Sequence, residues 1–184
     1  MSAHYGQVHA IQEAVIAGNV DATRAPARWL STHEGSEFPP AAGAALEAMR
    51  NEARIMLQQR DILLVARTLG RMGVACGSCH AALNAEVAFP AIAAPAATAA
   101  GREHMLRHAW ATARLWEGLA APSDPLWSAG VEALTSLPLA FGSNDQANRL
   151  ARRVHRHQSG RRPDSSTHSC FIAAFVFSQW AILN

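Results

Sequence analysis

The chain has no lysine. All 16 basic residues in its 184 positions are arginine, against 14 acidic residues. The formal charge of +2 is small and dispersed, whereas a phosphate-binding surface needs a concentrated basic stripe. The one dense basic run, from Arg149 to Arg162, has no aromatic side chains between its arginines. We therefore expect no nucleic-acid partner.

The sequence also lacks long apolar runs and an even number of cysteines. The most apolar stretch, the tail after Cys170, is shorter than the roughly 20 residues that cross a bilayer, so we expect no transmembrane span. Three cysteines make an odd count, which disfavours a disulfide framework. The amino terminus lacks the charged start and apolar middle of a secretory signal peptide. If the protein is exported, its leader is absent from this sequence.

What the chain does have is helical patterning. It is rich in alanine, the strongest helix former, and only 16% of its residues are charged, which is typical of a soluble all-α protein. Four segments within residues 1–85 carry apolar residues or capping signals at helical spacing. Their inner-face residues are His4, Val8, Ile11 and Val15; Trp29 and Leu30; Leu46, Met49, Ala53 and Met56; and Ile62, Val65, Leu69 and Met72. We predict a four-helix bundle over residues 1–85.

The second half resembles the first for a short distance. Residues 86–100 are rich in alanine and proline and are typical of a linker. Beyond them, a set of residues repeats the first helix at an offset of 100 positions, namely His104, His108, Ala111, Leu115 and Gly118. This pattern indicates a weak internal duplication. The match to the first half does not continue through the rest of the chain, so we interpret residues 101–184 as an incomplete second repeat with an irregular tail.

The fourth helix ends in the sequence CGSCH, residues 76–80. A dithiol redox pair would sit where a strand meets a helix, and no strand pattern precedes Cys76. A structural zinc site would need two more ligands, which His104 and His108 could supply. A third alternative is that the two thiols are small buried hydrophobes. We favour covalent attachment of one c-type haem, because Cys76 and Cys79 lie one turn apart for two thioethers and His80 can bind the iron.

Four helices with C-x-x-C-H near the end of the last one resemble the cytochrome c′ type of four-helix bundle. The segments HYGQVHAIQEAVIAG and HMLRHAWATARLWEGL are also similar to bacterial proteins with two such bundles in tandem. That resemblance implies a second C-x-x-C-H, which this chain lacks. It also implies attachment of the haem in the periplasm, and a possible homodimer because bundles of this type often dimerise.

The second axial ligand can be placed by topology. In an up-down-up-down bundle the first helix starts level with the end of the fourth. His4 lies on the inner stripe, so we predict it as the distal ligand, with His9 or an open position as alternatives. Tyr5, Phe38 and Phe89 could cover a haem edge, although no pattern favours them. We expect His104 and His108 to be a partly exposed pair, and His33 to be solvated.

These residues predict a protein that is not an enzyme. We expect it to pass single electrons between redox partner proteins, with axial ligands and burial setting its potential. An open iron would instead favour binding or sensing of a small gas such as NO or CO. The alternative outside haem chemistry is a zinc-stabilised helical interaction module.

Overall fold

The computed structural model describes residues 2–97 and 101–136, and all regular structure in those ranges is helical. The helices in chain order are α1 (Ser2–Ile16), α2 (Arg24–Thr32), α3 (Gly43–Gln58), α4 (Ile62–Ala82), α5 (Gly101–Ala120) and α6 (Asp124–Ser136). Short 3₁₀ turns, Asp21–Thr23 and Pro40–Ala42, lead into α2 and α3. The predicted all-α class is confirmed. The basic run from Arg149, Cys170 and the apolar tail lie outside the described residues.

The apolar stripes predicted from the sequence meet in one core. Helix α1 packs on α2 and α4, and α3 packs on the same two helices. Most of the predicted inner-face residues are buried there, including Val8, Ile11, Val15, Leu30, Leu46, Met49, Ala53, Met56, Val65, Leu69 and Met72. Each fully buried aliphatic side chain contributes about 1.5–3 kcal/mol of transfer free energy. The three methionines are core residues, as expected from their spacing.

Local signals set the helix ends. Gly18 has φ +68°, a left-handed conformation that stops the helical run after α1 and that glycine adopts without strain. Before α4, the Asp61 carboxylate accepts hydrogen bonds from the backbone N–H groups of Leu63 (2.7 Å) and Leu64 (3.4 Å). This capping satisfies donors that the first turn leaves without partners. Helix α4 then continues without a break through Cys76, Cys79 and His80.

Helix α4 is both long and apolar. Within the described residues it alone is long and apolar enough to cross a membrane, judged by length and composition. Half of its most apolar window is buried against other parts of the protein. The core helix of a globular protein has the same property, so this is weak evidence for a span.

Helix α5 lies directly against α4. The contact is close at two glycines of α4, because a Cβ on Gly73 would come 2.8 Å from the Trp116 ring and one on Gly77 would come 2.4 Å from the Leu119 carbonyl oxygen. Trp116 reaches the core formed by α1 to α4. The small size of Gly77 admits the backbone of α5.

The predicted linker is held against α5. Residues 86–97 form no regular structure, but three of their carbonyl oxygens accept side-chain hydrogen bonds from α5. The donors are Arg114 to Pro90 (3.5 Å), Trp110 to Ile92 (2.8 Å) and Arg107 to Pro95 (2.8 Å). These bonds fix the course of the segment along the helix, so it is an ordered connection in the part of the chain described.

The α4–α5 contact can be tested at one position. We expect Gly77→Ala to lower the free energy of unfolding by about 1–3 kcal/mol, because the new methyl group must displace a backbone oxygen. Gly6→Ala is the matched control, since Gly6 is in α1 and has nothing within 4 Å of an added Cβ. That substitution should stabilise the protein by about 0.5–1 kcal/mol through helix propensity. Denaturant unfolding of both variants measures these changes in stability. Equal unfolding midpoints for Gly77→Ala and Gly6→Ala would contradict the close contact.

Candidate functional site

A cavity of about 530 Å³ lies among α1, α3, α4, α5 and the segment 86–90. Its volume is within the range of about 300–1,000 Å³ that is usual for cofactor and ligand sites. The four residues predicted to hold the cofactor, His4, Cys76, Cys79 and His80, all line it. The rest of the lining is mostly apolar and comprises Tyr5, Val8, Phe38, Ala45, Leu46, Met49, Ala75, Glu86, Val87, Ala88, Phe89, Pro90, Trp116 and Ala120.

The two cysteines present unpaired thiols to this cavity. Both are partly exposed and lie one turn apart on the last part of α4. Burial of the sulfur, with a smaller effect from the Cys79 thiol, raises the pKa of Cys76 to about 12. Burial also raises the pKa of Cys79. Because the thiolate is the nucleophile in disulfide exchange, both thiols are weak in that role here.

The His80 ring is oriented by a hydrogen bond from outside its own helix. Its Nδ1 lies 2.7 Å from the carbonyl oxygen of Ala120, the last residue of α5. A carbonyl oxygen only accepts, so Nδ1 carries a proton, and in the neutral tautomer of this geometry the lone pair is on Nε2. The Ala120 oxygen is available because the last four carbonyls of a helix have no partner within it. Such a hydrogen bond typically fixes the tautomer and orientation of a metal-binding histidine.

His4 is a buried imidazole without a hydrogen-bond partner. The residue is 8% exposed, and neither ring nitrogen makes a hydrogen bond. Burial lowers its pKa below 6.5, with a further decrease from His33, so the ring is neutral at neutral pH. An unsatisfied buried polar group costs about 1–3 kcal/mol. His4 also lines the cavity, so an unpaired imidazole nitrogen at that cost is compatible with the role of a metal ligand.

Three aromatic rings enclose His4 edge-on. Trp29, His33 and Phe38 have ring centroids 5.2, 4.7 and 5.0 Å from that of His4, at interplanar angles of 74–76°. Trp29 also stacks on His33 at 4.2 Å and 15°. The plane of the His4 ring is thus restricted by α2 and the loop after it.

Sequence reasoning missed His33 and Glu37. We expected His33 to be solvated, but its side chain is only 30% exposed and its Nε2 donates to Glu37 Oε1 at 2.9 Å. This hydrogen bond is the largest cause of a lowered pKa at Glu37, which is therefore ionised. The same oxygen lies 3.9 Å from His4 Nδ1. No helical periodicity links these residues, because they lie on a non-helical turn.

This cluster has its own metal-binding chemistry. The ligand atoms of His4, His33 and Glu37 lie within 4.8 Å of one another. Two imidazoles and a carboxylate form a donor set that suits Zn²⁺ and similar divalent ions. A neutral imidazole has one lone pair, so His4 can bind either such an ion or a haem iron, but not both at once.

The other candidate histidines differ in position. His9 has a side chain 52% exposed, 3.9 Å from Glu13, and does not line the cavity. His104 and His108 were expected to be partly exposed, and that expectation was wrong: they are 7% and 3% exposed and contact each other at 4.6 Å between ring centroids. They are buried like His4 and Val8, the residues 100 positions earlier.

The three aromatic residues singled out earlier, Tyr5, Phe38 and Phe89, all line the cavity. Tyr5 is 51% exposed, which places it at the solvent side of this site. Phe89 belongs to the segment held on α5.

Comparisons of the chain with protein-family models, with curated proteins and with solved structures found no match, so its function must be inferred from the residues around this cavity.

Proposed function

We propose that this protein is a c-type cytochrome that carries single electrons. In this proposal Cys76 and Cys79 hold one haem covalently, His80 is the proximal ligand and His4 is the distal ligand. The observation that carries it is the convergence of these four side chains on one cavity. Cys76, Cys79 and His80 are neighbours on α4, whereas His4 comes from α1, so sequence adjacency cannot explain why His4 lines the same cavity as the other three.

The chemistry of the donors supports a haem. Each thiol would add its Sγ and its proton across one vinyl group, which forms a thioether without an oxidant. A bound haem supplies a one-electron iron couple whose potential depends on axial ligands and burial. His80 presents Nε2 while Ala120 holds its Nδ1. The neutral, buried His4 offers the second lone pair.

We also propose that α1 to α4 form a four-helix bundle. Helices α1 to α4 each contact two neighbours around a shared core, which is the pattern of a four-helix bundle. In such a bundle the start of α1 and the end of α4 lie at the same end. His4 and His80 occupy those positions, and α5 closes the site with Trp116 and Ala120.

The raised thiol pKa values disfavour a dithiol redox centre. Such a centre needs at least one stabilised thiolate. In the structure burial acts against both thiolates. Addition to a vinyl group ends with a neutral thioether, which a buried apolar setting tolerates.

Gas binding is the second candidate function. It is favoured if His4 stays within its ring of aromatic side chains and does not reach the iron, because the distal side would then be open and apolar. Two imidazole ligands instead suit electron transfer, since no coordination bond has to break on reduction. Periplasmic redox proteins would be the partners of the electron-transfer form.

Expression in a host with the haem-attachment machinery tests the proposal. We expect a red protein whose intact mass exceeds that of the chain by one haem, with the adduct on the peptide that contains residues 76–80. The reduced pyridine adduct should show two saturated vinyl positions. A colourless product in which both thiols react with a maleimide would contradict the proposal.

A further inference from the structure

The loop between α2 and α3 brings a carboxylate close to the Nδ1 atom of His4. Neutral imidazole has one N–H and one lone pair. Among the described residues, the carboxylate oxygen nearest to His4 Nδ1 in an ion-pair contact is Glu37 Oε1, at 3.9 Å. If the Nε2 lone pair of His4 faces the iron, the Nδ1 proton faces Glu37.

The position of Glu37 is fixed by its surroundings. Gly35 has φ +68°, and its carbonyl oxygen accepts a hydrogen bond of 3.0 Å from the Phe38 N–H, closing a turn with Glu37 near its tip. Arg50 of α3 donates to the carbonyl oxygens of His33 (2.8 Å) and Glu34. The turn is therefore tied to the core helix α3.

His33 holds the carboxylate itself. Its Nε2 donates to Glu37 Oε1 at 2.9 Å, and its ring is stacked on Trp29. The contact leaves lone pairs on the carboxylate for a second donor, since an ionised carboxylate accepts about four hydrogen bonds. A shift of about 1 Å would bring His4 Nδ1 within hydrogen-bond distance.

We infer that Glu37, held by His33, is a positioning residue that accepts the Nδ1 proton of His4 and so orients the distal ligand and strengthens it toward the oxidised iron. This inference rests on the proposed function. A carboxylate hydrogen-bonded to a metal-binding histidine raises its basicity, and losing it typically costs about 10–100-fold in metal affinity. A more basic imidazole favours ferric over ferrous iron, so Glu37 should lower the reduction potential.

The test compares Glu37→Gln with Glu34→Gln in the haem-loaded full chain. Both substitutions remove one negative charge from the same exposed turn, but the Glu34 carboxylate is in none of the ion pairs found among the described residues. We expect Glu37→Gln to weaken the preference of His4 for ferric iron about tenfold. That change corresponds to a rise of about 59 mV in potential for one electron. Glu34→Gln measures the effect of charge alone.

Three further results decide the inference. His33→Phe keeps a ring on Trp29 but breaks the 2.9 Å hydrogen bond to Glu37, so the reduction potential of this variant should also rise. This result tests the inference even if Glu37→Gln folds poorly. Equal potentials for Glu37→Gln and Glu34→Gln would overturn it. So would Glu37-dependent binding of Zn²⁺ to the haem-loaded protein without a change in its spectrum, since the cluster would then be a separate metal site.

Failure of the proposed function is distinguishable from failure of this inference. An unsubstituted chain that carries no covalent haem contradicts the proposed function, and with it the role of Glu37. A haem-loaded chain whose spectrum changes on loss of His4, but whose potential is the same for Glu37→Gln and Glu34→Gln, contradicts the inference while leaving the proposed function intact.

Discussion

Replacing both Cys76 and Cys79 by serine should abolish covalent haem completely, so that denaturation in acidic acetone releases any pigment that remains. The reason is that each thioether uses one of these two sulfur atoms, and no other thiol lines the cavity in the described part of the chain. Single substitutions should leave one thioether and one unsaturated vinyl group. Intact mass and the pyridine adduct spectrum measure both effects.

Cys170→Ser is the control for this experiment, because Cys170 stands outside the C-x-x-C-H motif. It should keep one haem per chain with an unchanged spectrum. If the variant without Cys76 and Cys79 still carried covalent haem, or if Cys170→Ser lost it, the attachment site would be wrong.

Replacing His4 by alanine should convert the iron from six-coordinate and low-spin to five-coordinate and high-spin. Carbon monoxide should then bind at least about 100-fold more tightly, because a competing ligand that is bound 99% of the time lowers the apparent affinity by that factor. Absorption spectra of both oxidation states and CO titration of the reduced protein measure the change. The covalent haem should remain, since α4 is untouched.

His9→Ala is the matched control on the same helix. Its side chain is half exposed and faces Glu13, so neither the spin state nor the CO affinity should change. A wild-type protein that already binds CO through a five-coordinate iron, with no response to His4→Ala, would contradict the distal role of His4. It would favour the gas-binding function instead.

The helices and their inner faces followed from the sequence because their signals are local. Spacing of three and four residues selected Val8, Leu46, Val65 and their neighbours, and a capping aspartate marked the start of α4. The C-x-x-C-H motif is likewise local, and its position near the end of α4 agrees with the prediction. The cofactor assigned to that motif stays a prediction.

The surroundings of the site did not follow from the sequence, because they join residues that are far apart in the chain. His80 bonds to the carbonyl of Ala120, 40 residues later, which the prediction of a separate second repeat did not suggest. His104 and His108 are buried, although we expected them to be partly exposed, because periodicity alone does not show which helix will cover a face. His33 and Glu37 carry no repeating pattern at all.

The sequence by itself therefore determined which residues form helices, which faces of α1 to α4 are apolar, and where on α4 the C-x-x-C-H motif lies. These depend on interactions within about one helical turn, where backbone geometry sets the neighbours. Only the tertiary structure decided that α5 closes the cavity, that Gly77 serves a helix contact, and that Glu37 faces His4. Those depend on how separate segments pack, and packing is decided by the shapes of all the surfaces together.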